Sequence, residues 1–339
     1  MVRERLEGMA QKIRWGVLGV SKFAVEKIIP AMKGCHEAEI TAIASRDGAK
    51  ARAAAAEFGL AKAFGSYEEM LADPEIDVVY NPLPNHLHVP LSVRAAEAGK
   101  HVLCEKPLAL DAAECAALLA ARDRCGVVIG EAFMVAVHPQ WLRAREILGA
   151  GEIGAPVSMQ TAFSYFNRDA ANIRNVASFG GGALMDIGCY AVFTSRFVLG
   201  EEPETVQALM RVDPEFKVDV LCSGMLRFPS ADSVFTCGTQ QIPFQRTQIF
   251  GEKGRIEIEI PFNAPPDRPA RIFVEAGGAL RTEEFPVCNQ YTIQGDLFSM
   301  AVRAGAAPPV TLENSLANMR VIDALFRAAE TGRAEPVER

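Results

Sequence analysis

The sequence predicts an α/β chain of two domains. A parallel sheet with helices on both faces comes first, and an α+β domain with a large, mainly antiparallel, open-faced sheet follows. Three observations predict it. Over the first 131 residues, short apolar runs alternate with helical patterns, which demands parallel strands joined by crossover helices. The first strand leads through Gly16-Val17-Leu18-Gly19-Val20-Ser21-Lys22-Phe23-Ala24 into a helix, the setting of a dinucleotide-binding turn. From Glu204 to Phe285, strand-like runs succeed one another without helices between them, as in an antiparallel sheet.

Residues 1–12 are charged and lack the apolar stretch of a signal peptide, so they read as a loose arm or short helix. Residues 13–135 form the first domain. Its strands are expected at 13–18, 39–44, 77–80, 101–104 and 127–130. A helix runs from Gly19 through Ile28, and an alanine-rich one covers 49–58. Ser66-Tyr67-Glu68-Glu69 is a capping box that opens a helix ending near Ala72. A Pro/Asn loop leads to a helix ending at Ala98, and Asp111 is the N-cap of a helix over 112–124.

The second domain is expected over 136–332. A helix over 138–148 stops at Gly149-Ala150-Gly151, and a strand covers 157–166. Gly180-Gly181-Gly182 turns into a helix over 183–199. Six strands follow at 206–212, 218–228, 233–238, 246–250, 255–260 and 271–274. Leu312, Leu316, Met319, Ile322 and Phe326 recur at helical spacing in a closing helix, which is placed to pack back on the first domain.

The chain has 339 residues, 49% of them hydrophobic, enough for a sizeable core in two domains. Its net charge of -7 and scattered basic residues argue against a nucleic-acid partner. No run approaches the ~18 unbroken apolar residues of a membrane helix. The eight cysteines include no Cys-x-x-Cys pair and suggest a reducing cytoplasm rather than a disulfide framework. His86 and His88 with Cys104 and Glu105 lack a second chelating pair, so no metal site is expected.

The chemistry gathers at strand ends. Small residues after the first strand let the backbone approach a pyrophosphate at a helix N-terminus, although Ser21 stands where the middle glycine of Gly-x-Gly-x-x-Ala would be. After the second strand, Ser45 and Arg46, with Lys50 a turn later, replace the acid that binds ribose hydroxyls. They favour a 2′-phosphate, and therefore NADP over NAD. Glu105-Lys106-Pro107 closes another apolar strand and puts Lys106 where open α/β sheets bind ligands. Asp186 and Tyr190, four apart on a helix, share a face. An ammonium near Tyr190 would lower its pKa and let it exchange a hydroxyl proton while Lys106 polarises the substrate oxygen. Arg174 is a candidate anchor for a substrate hydroxyl, and Phe163, Tyr165 and Phe166 are candidate pocket walls.

Asn81-Pro82-Leu83-Pro84-Asn85-His86-Leu87-His88, Glu105-Lys106-Pro107 and Gly180 through Tyr190 resemble the glucose–fructose oxidoreductase / inositol dehydrogenase family over residues 12–332. Asn172-Ile173-Arg174, Tyr190 and Asn289-Gln290-Tyr291-Thr292 are most similar to its NADP-linked D-xylose dehydrogenase and dihydrodiol dehydrogenase branch. The resemblance implies a Rossmann domain and a C-terminal sheet that forms the face of a homodimer or dimer of dimers. It places Lys106 and Tyr190 at catalytic positions and Asp186 at a substrate-binding or proton-relay position. It sets Leu83, Pro84, Asn85 and His88 beside the nicotinamide, Glu105 and Lys106 near its ribose, and Ser45 and Arg46 at the adenosine phosphate. Gly19, Val20, Ser21, Lys22 and Phe23 hold the cofactor turn. The implied activity is hydride transfer between NADP(H) and a carbinol or carbonyl carbon of a sugar or cyclic polyol. The alternatives are a trans-dihydrodiol dehydrogenase, a keto-sugar reductase and a non-enzymatic NADP sensor. Relatives often carry an aromatic and an arginine where this chain has Val135, Ala136 and Val137, which implies a more apolar pocket wall.

Overall fold

The apolar runs of the N-terminal half become strands buried between two layers of helices. The computed structural model describes residues 11–338, so all but the last two residues of the expected N-terminal arm lie outside the described residues. Strands β1 (Ile13–Leu18), β2 (Ala38–Ala44), β3 (Lys62–Phe64), β4 (Val78–Asn81), β5 (His101–Glu105) and β6 (Ile129–Ala132) form a parallel sheet in the order β3-β2-β1-β4-β5-β6. The order reverses between β1 and β4, and ligands of open α/β sheets bind outside the strand ends at such a point.

The connecting helices are α1 over residues 22–32, α2 (Gly48–Phe58), α3 (Tyr67–Ala72), α4 (His88–Glu97) and α5 (Ala112–Cys125). Their starts follow capping chemistry. Asp47 accepts from the Ala49 and Lys50 amides, Ser66 from the Glu69 amide and Asp111 from the Glu114 amide. The Ser66 box is open on one side, because the Glu69 carboxylate turns to the amide of Gly65 instead of Ser66. Helix α1 runs past the expected end at Ile28 to Met32, and its middle, Ala24–Ile28, is wound as a π-helix.

The second domain begins with α6 (Pro139–Gly149), capped by His138 and anchored by Trp141, whose indole donates to the Pro261 carbonyl at 2.7 Å. Its nine strands are β7 (Pro156–Phe166), β8 (Thr205–Val212), β9 (Asp219–Arg227), β10 (Asp232–Gly238), β11 (Gln240–Gly251), β12 (Gly254–Ile258), β13 (Ala270–Ala276), β14 (Ala279–Phe285) and β15 (Glu335–Pro336). They are ordered β14-β13-β12-β11-β7-β10-β9-β8-β15. All neighbours are antiparallel except β7 and β10, which the excursion through helix α7 (residues 183–199) and two further strands brings side by side in the same direction. Four of these elements escape the sequence reading: the edge strands β3, β14 and β15 and helix α8 (Gln290–Ala304).

Helix α9 (Leu312–Thr331) joins the two halves. Glu313 pairs with Arg122 of α5 at 2.6 Å, and Asp323 accepts from the Ala112 amide at 2.9 Å. The buried side chains of Cys115, Leu118, Leu312, Ile322, Leu325 and Phe235 belong to one continuous core that passes from the first sheet to the second. Among the described residues, only the stretch Ala177–Leu199 is long and apolar enough by composition to span a membrane. Of that window 83% is buried within the fold, which is the setting of a core helix.

Candidate active site

A cleft of about 1540 Å³ lies between the two sheets and opens at the C-terminal ends of β1, β4 and β5. Its floor starts at the turn after β1. Gly19 has φ +85°, a left-handed conformation, and a Cβ there would press on Leu83 at 2.8 Å. Only glycine leaves the backbone open at this point. Ser21 accepts from the Ala24 amide at 3.1 Å and so caps α1, taking over a local role in place of the missing glycine. The unpaired amides at the start of α1 therefore face the cleft floor, where Ser21, Lys22 and Phe23 line the wall. This cradle fits a dinucleotide pyrophosphate.

The Asn81–His88 loop forms the adjoining wall. The ring nitrogens of His88 lie 2.7 Å from the carbonyls of Leu83 and Pro107, which ties this loop to the one bearing Lys106. Asn85 donates to the Gly180 carbonyl at 2.8 Å and links the first domain to the glycine turn of the second. The Lys106–Pro107 peptide is cis. Glu105 is buried, accepts from the Tyr80 hydroxyl and faces the Lys106 amide. Burial pushes its carboxyl up, and the bond from Tyr80 opposes that shift.

At the centre, Lys106 Nζ donates to the Asp186 carbonyl at 2.6 Å and lies 3.4 Å from Asp186 Oδ1. Arg174 Nε reaches the same Oδ1 at 2.8 Å, and the Tyr165 hydroxyl donates to Oδ2 at 2.6 Å. Burial alone would raise the Asp186 carboxyl. The charges of Arg174 and Lys106 and the bond from Tyr165 outweigh it and hold the group well below the usual carboxylate range. Asp186 thus stands as an anion with both oxygens engaged.

Tyr190 departs from expectation. Lys106 Nζ stands 4.8 Å from the centre of its ring, over the π face rather than beside the oxygen, and the hydroxyl approaches Met134 Sδ at 3.5 Å. Burial raises the phenol well above its ordinary range, so it is neutral. The expected lowering by the ammonium fails because burial dominates and the cation meets the ring instead of the hydroxyl.

Asp186 and Tyr190 do share one face, and both line the cleft with Lys106, Arg174 and Phe163. Phe163 doubles as core, stacked on Phe262 at 4.7 Å. Ser45, Arg46 and Lys50 stand apart from this cleft, at the end of β2 beside the β1 turn. Ser45 accepts from the Asp47 amide, while Arg46 and Lys50 are exposed. Gly19, Val20 and Pro84 frame the loops without lining the cleft. Val135, Ala136 and Val137 are buried in the core and do not line it either, so the expected apolar pocket wall is corrected. Tyr165, read from sequence only as a candidate pocket wall, also lines the cleft as a hydrogen-bond partner of Asp186, and one cleft residue had no role assigned from sequence. Tyr291 packs edge-on against Phe23 at 5.7 Å, on a helix whose polar first turn hid it.

A parallel dinucleotide sheet with a lysine, a carboxylate and a tyrosine at its mouth defines an oxidoreductase. The chain belongs to the GFO/IDH/MocA oxidoreductase family. The family's NAD-binding Rossmann model matches residues 13–133, and its C-terminal domain model matches residues 141–257. A D-xylose 1-dehydrogenase (NADP(+)) of Haloferax volcanii is 41% identical over 94% of this chain and 98% of its own. An aldose-aldose oxidoreductase of Caulobacter crescentus, solved with glycerol, superposes with a TM-score of 0.90 at 29% identity, covering 96% of this chain and 100% of that one. KijD10, a 3-ketoreductase of Actinomadura kijaniata solved with NADP and TDP-benzene, superposes with a TM-score of 0.88 at 31% identity, covering 94% of this chain and 98% of that one.

Proposed function

We propose that the protein is an NADP-dependent oxidoreductase that interconverts a carbinol and a carbonyl on a sugar or cyclic polyol. The observation that carries this reading is the convergence of Lys106, Asp186 and Tyr190 at the mouth of the cleft whose floor is the α1 cradle. Gly19, Ser21, Lys22 and Phe23 would hold the pyrophosphate, Ser45, Arg46 and Lys50 the 2′-phosphate, and Leu83, Asn85, His88 and Glu105 the nicotinamide end. When bound, the nicotinamide supplies or takes up the hydride.

The protein's part is the proton and the oxygen. Lys106 has three N–H donors, and Asp186 occupies the side of the ammonium facing its carbonyl and carboxylate. The remaining donor is available to the substrate oxygen, where it stabilises negative charge as the carbonyl is reduced. In reduction the neutral Tyr190 phenol gives its proton to that oxygen and is re-protonated from solvent; in oxidation its phenolate form takes up the carbinol proton and releases it to solvent. The part of Arg174 not engaged with Asp186 lines the cleft and offers donors to a substrate hydroxyl.

The same reading makes the molecule a homodimer through the open face of the nine-stranded sheet, in a reducing cytoplasm that suits its eight free thiols. With Val135–Val137 in the core, the apolar segment read from the sequence no longer bears on the choice between a sugar and a dihydrodiol.

The test is a panel of aldoses, inositols, keto-sugars and dihydrodiols with NADP(H) and NAD(H), followed by nicotinamide absorbance. Lys106→Met and Tyr190→Phe should each reduce turnover about a hundredfold or more with NADP affinity retained. Near wild-type turnover in either variant overturns the assignment, and NADP binding without turnover on any carbinol or carbonyl favours a sensor.

A further inference from the structure

The substrate cleft and the open face of the second sheet are not separate surfaces. On β11, Gln245 faces the catalytic side opposite Phe163, while Phe244 and Arg246 pair with Ser164 and Ala162 and point to the other side. Yet Phe244 and Arg246 line both the cleft and a shallow depression of about 870 Å³ on the open face. The cause is local. The β7–β11 register shifts between Gln240 and Phe244, and the strand end swings outward, held by a 2.7 Å bond from Ser164 Oγ to the Ile242 carbonyl. The cleft therefore wraps round the end of the sheet at Pro243 and Phe244, the latter 51% exposed, and Ile242, next in the chain, is 82% exposed.

The apolar surface continues across the face through Val234 on β10, Met225 on β9 and Leu209 on β8, the last 76% exposed. A patch of this kind marks a contact surface. Its charge says what covers it. Arg246 and Glu257 neutralise each other at 3.1 Å, and the neighbouring groups are glutamines, serine and threonine, with Arg333 at the margin. A two-fold interface brings one patch against itself, and a nearly neutral patch is the kind two copies can join without like-charge repulsion.

We propose that a second copy of this chain, seated on the open sheet face, forms the outer wall of the substrate cleft over Ile242, Pro243 and Phe244, so that the substrate pocket is complete only in the dimer. The inference rests on the dimer and the sugar oxidoreductase reading given above, and it adds that assembly sets substrate affinity. The partner contributes surface at the rim, away from Lys106, Asp186 and Tyr190. Losing it should raise the KM for substrate while the α1 cradle, on the far side of the cleft, keeps its affinity for NADP.

The experiment uses the full chain and the variants Leu209→Glu and Val234→Glu, both at exposed positions outside the cleft. Mass in solution comes from light scattering, KM for D-xylose from steady-state rates, the NADP dissociation constant from fluorescence, and backbone hydrogen exchange is followed over residues 240–244. The expected result is a dimeric wild type and monomeric variants with a KM at least tenfold higher, unchanged NADP affinity and faster exchange at 240–244. A monomeric wild type at micromolar concentration, or monomeric variants with unchanged KM, overturns the proposal. Should the wild type turn over no sugar, the functional reading fails. The difference in exchange between dimer and monomer then still decides, and equal exchange overturns the proposal.

Discussion

Asp186 shows how a residue's role is set by what already holds it. Arg174, Tyr165 and Lys106 occupy its oxygens, and under the proposed function its part is to fix the ammonium. A hydrogen bond to a charged group is worth about 1.5–3 kcal/mol. Tyr165→Phe should therefore lower kcat about tenfold or more while NADP affinity stays the same, and an unchanged kcat would show that Arg174 alone suffices. Glu131 offers a second single-residue test. It is buried, its Oε2 has no partner, and burial pushes its carboxyl up to about 7. A raised folded-state pKa means that the native chain binds more protons than the unfolded one. This contribution is whole below about pH 4.5 and is lost as pH rises through about 7. At roughly 1.4 kcal/mol per unit, it amounts to about 3 kcal/mol. Glu131→Gln should match or fall below the wild type in thermal stability near pH 4.5 and exceed it above pH 7. Parallel stability curves across that range would place the carboxyl's titration elsewhere.

At the scale of elements, helix α7 brings Asp186 and Tyr190 to the cleft because of the turn that starts it. Gly182 has φ +120°, and a Cβ there would run into the Asp219 carboxylate, which accepts from the Leu184 amide at 2.7 Å. Gly182→Ala adds strain and a clash at the same point. It should destabilise the chain by about 2–4 kcal/mol in chemical denaturation and displace Asp186 and Tyr190 enough to cut turnover; a change under about 0.5 kcal/mol would mean the turn relaxes freely. Turns of this kind were legible in the sequence, as were the caps at Ser66 and Asp111, because local chemistry dictates them. The misses also have physical causes. Strand β14, Ala-Leu-Arg-Thr-Glu-Glu-Phe, is an edge strand whose polar residues fall on both faces, so it lacks the alternation of a half-buried strand. Helix α8 contains Gly295, which reads as a breaker. In the fold it lets α8 approach α1, with Cys35 Sγ 3.0 Å from where its Cβ would stand. The clamp on Asp186 joins residues 80 and 21 positions from it, beyond the reach of local periodicity.

At the scale of the whole molecule, one buried apolar cluster runs from the first sheet to the second, and α9 is fastened to both. Helix α8 adds a second tie next to the cofactor turn. The Thr292 hydroxyl donates to the Ala31 carbonyl at 2.6 Å, and Tyr291 leans on Phe23. A ligand held by the α1 cradle is therefore braced by side chains of the second domain as well as the first. If the domains were only tethered, NADP would stabilise the first sheet alone and thermal unfolding would split into two steps. With a shared core the chain should unfold in one step, with and without ligand. NADP at a hundred times its dissociation constant should raise the unfolding free energy by about 2.7 kcal/mol. Calorimetry checks this directly. One transition that moves upward as a whole supports a single cooperative unit. Two transitions, of which NADP moves only one, would show that the continuous core between the sheets does not couple them.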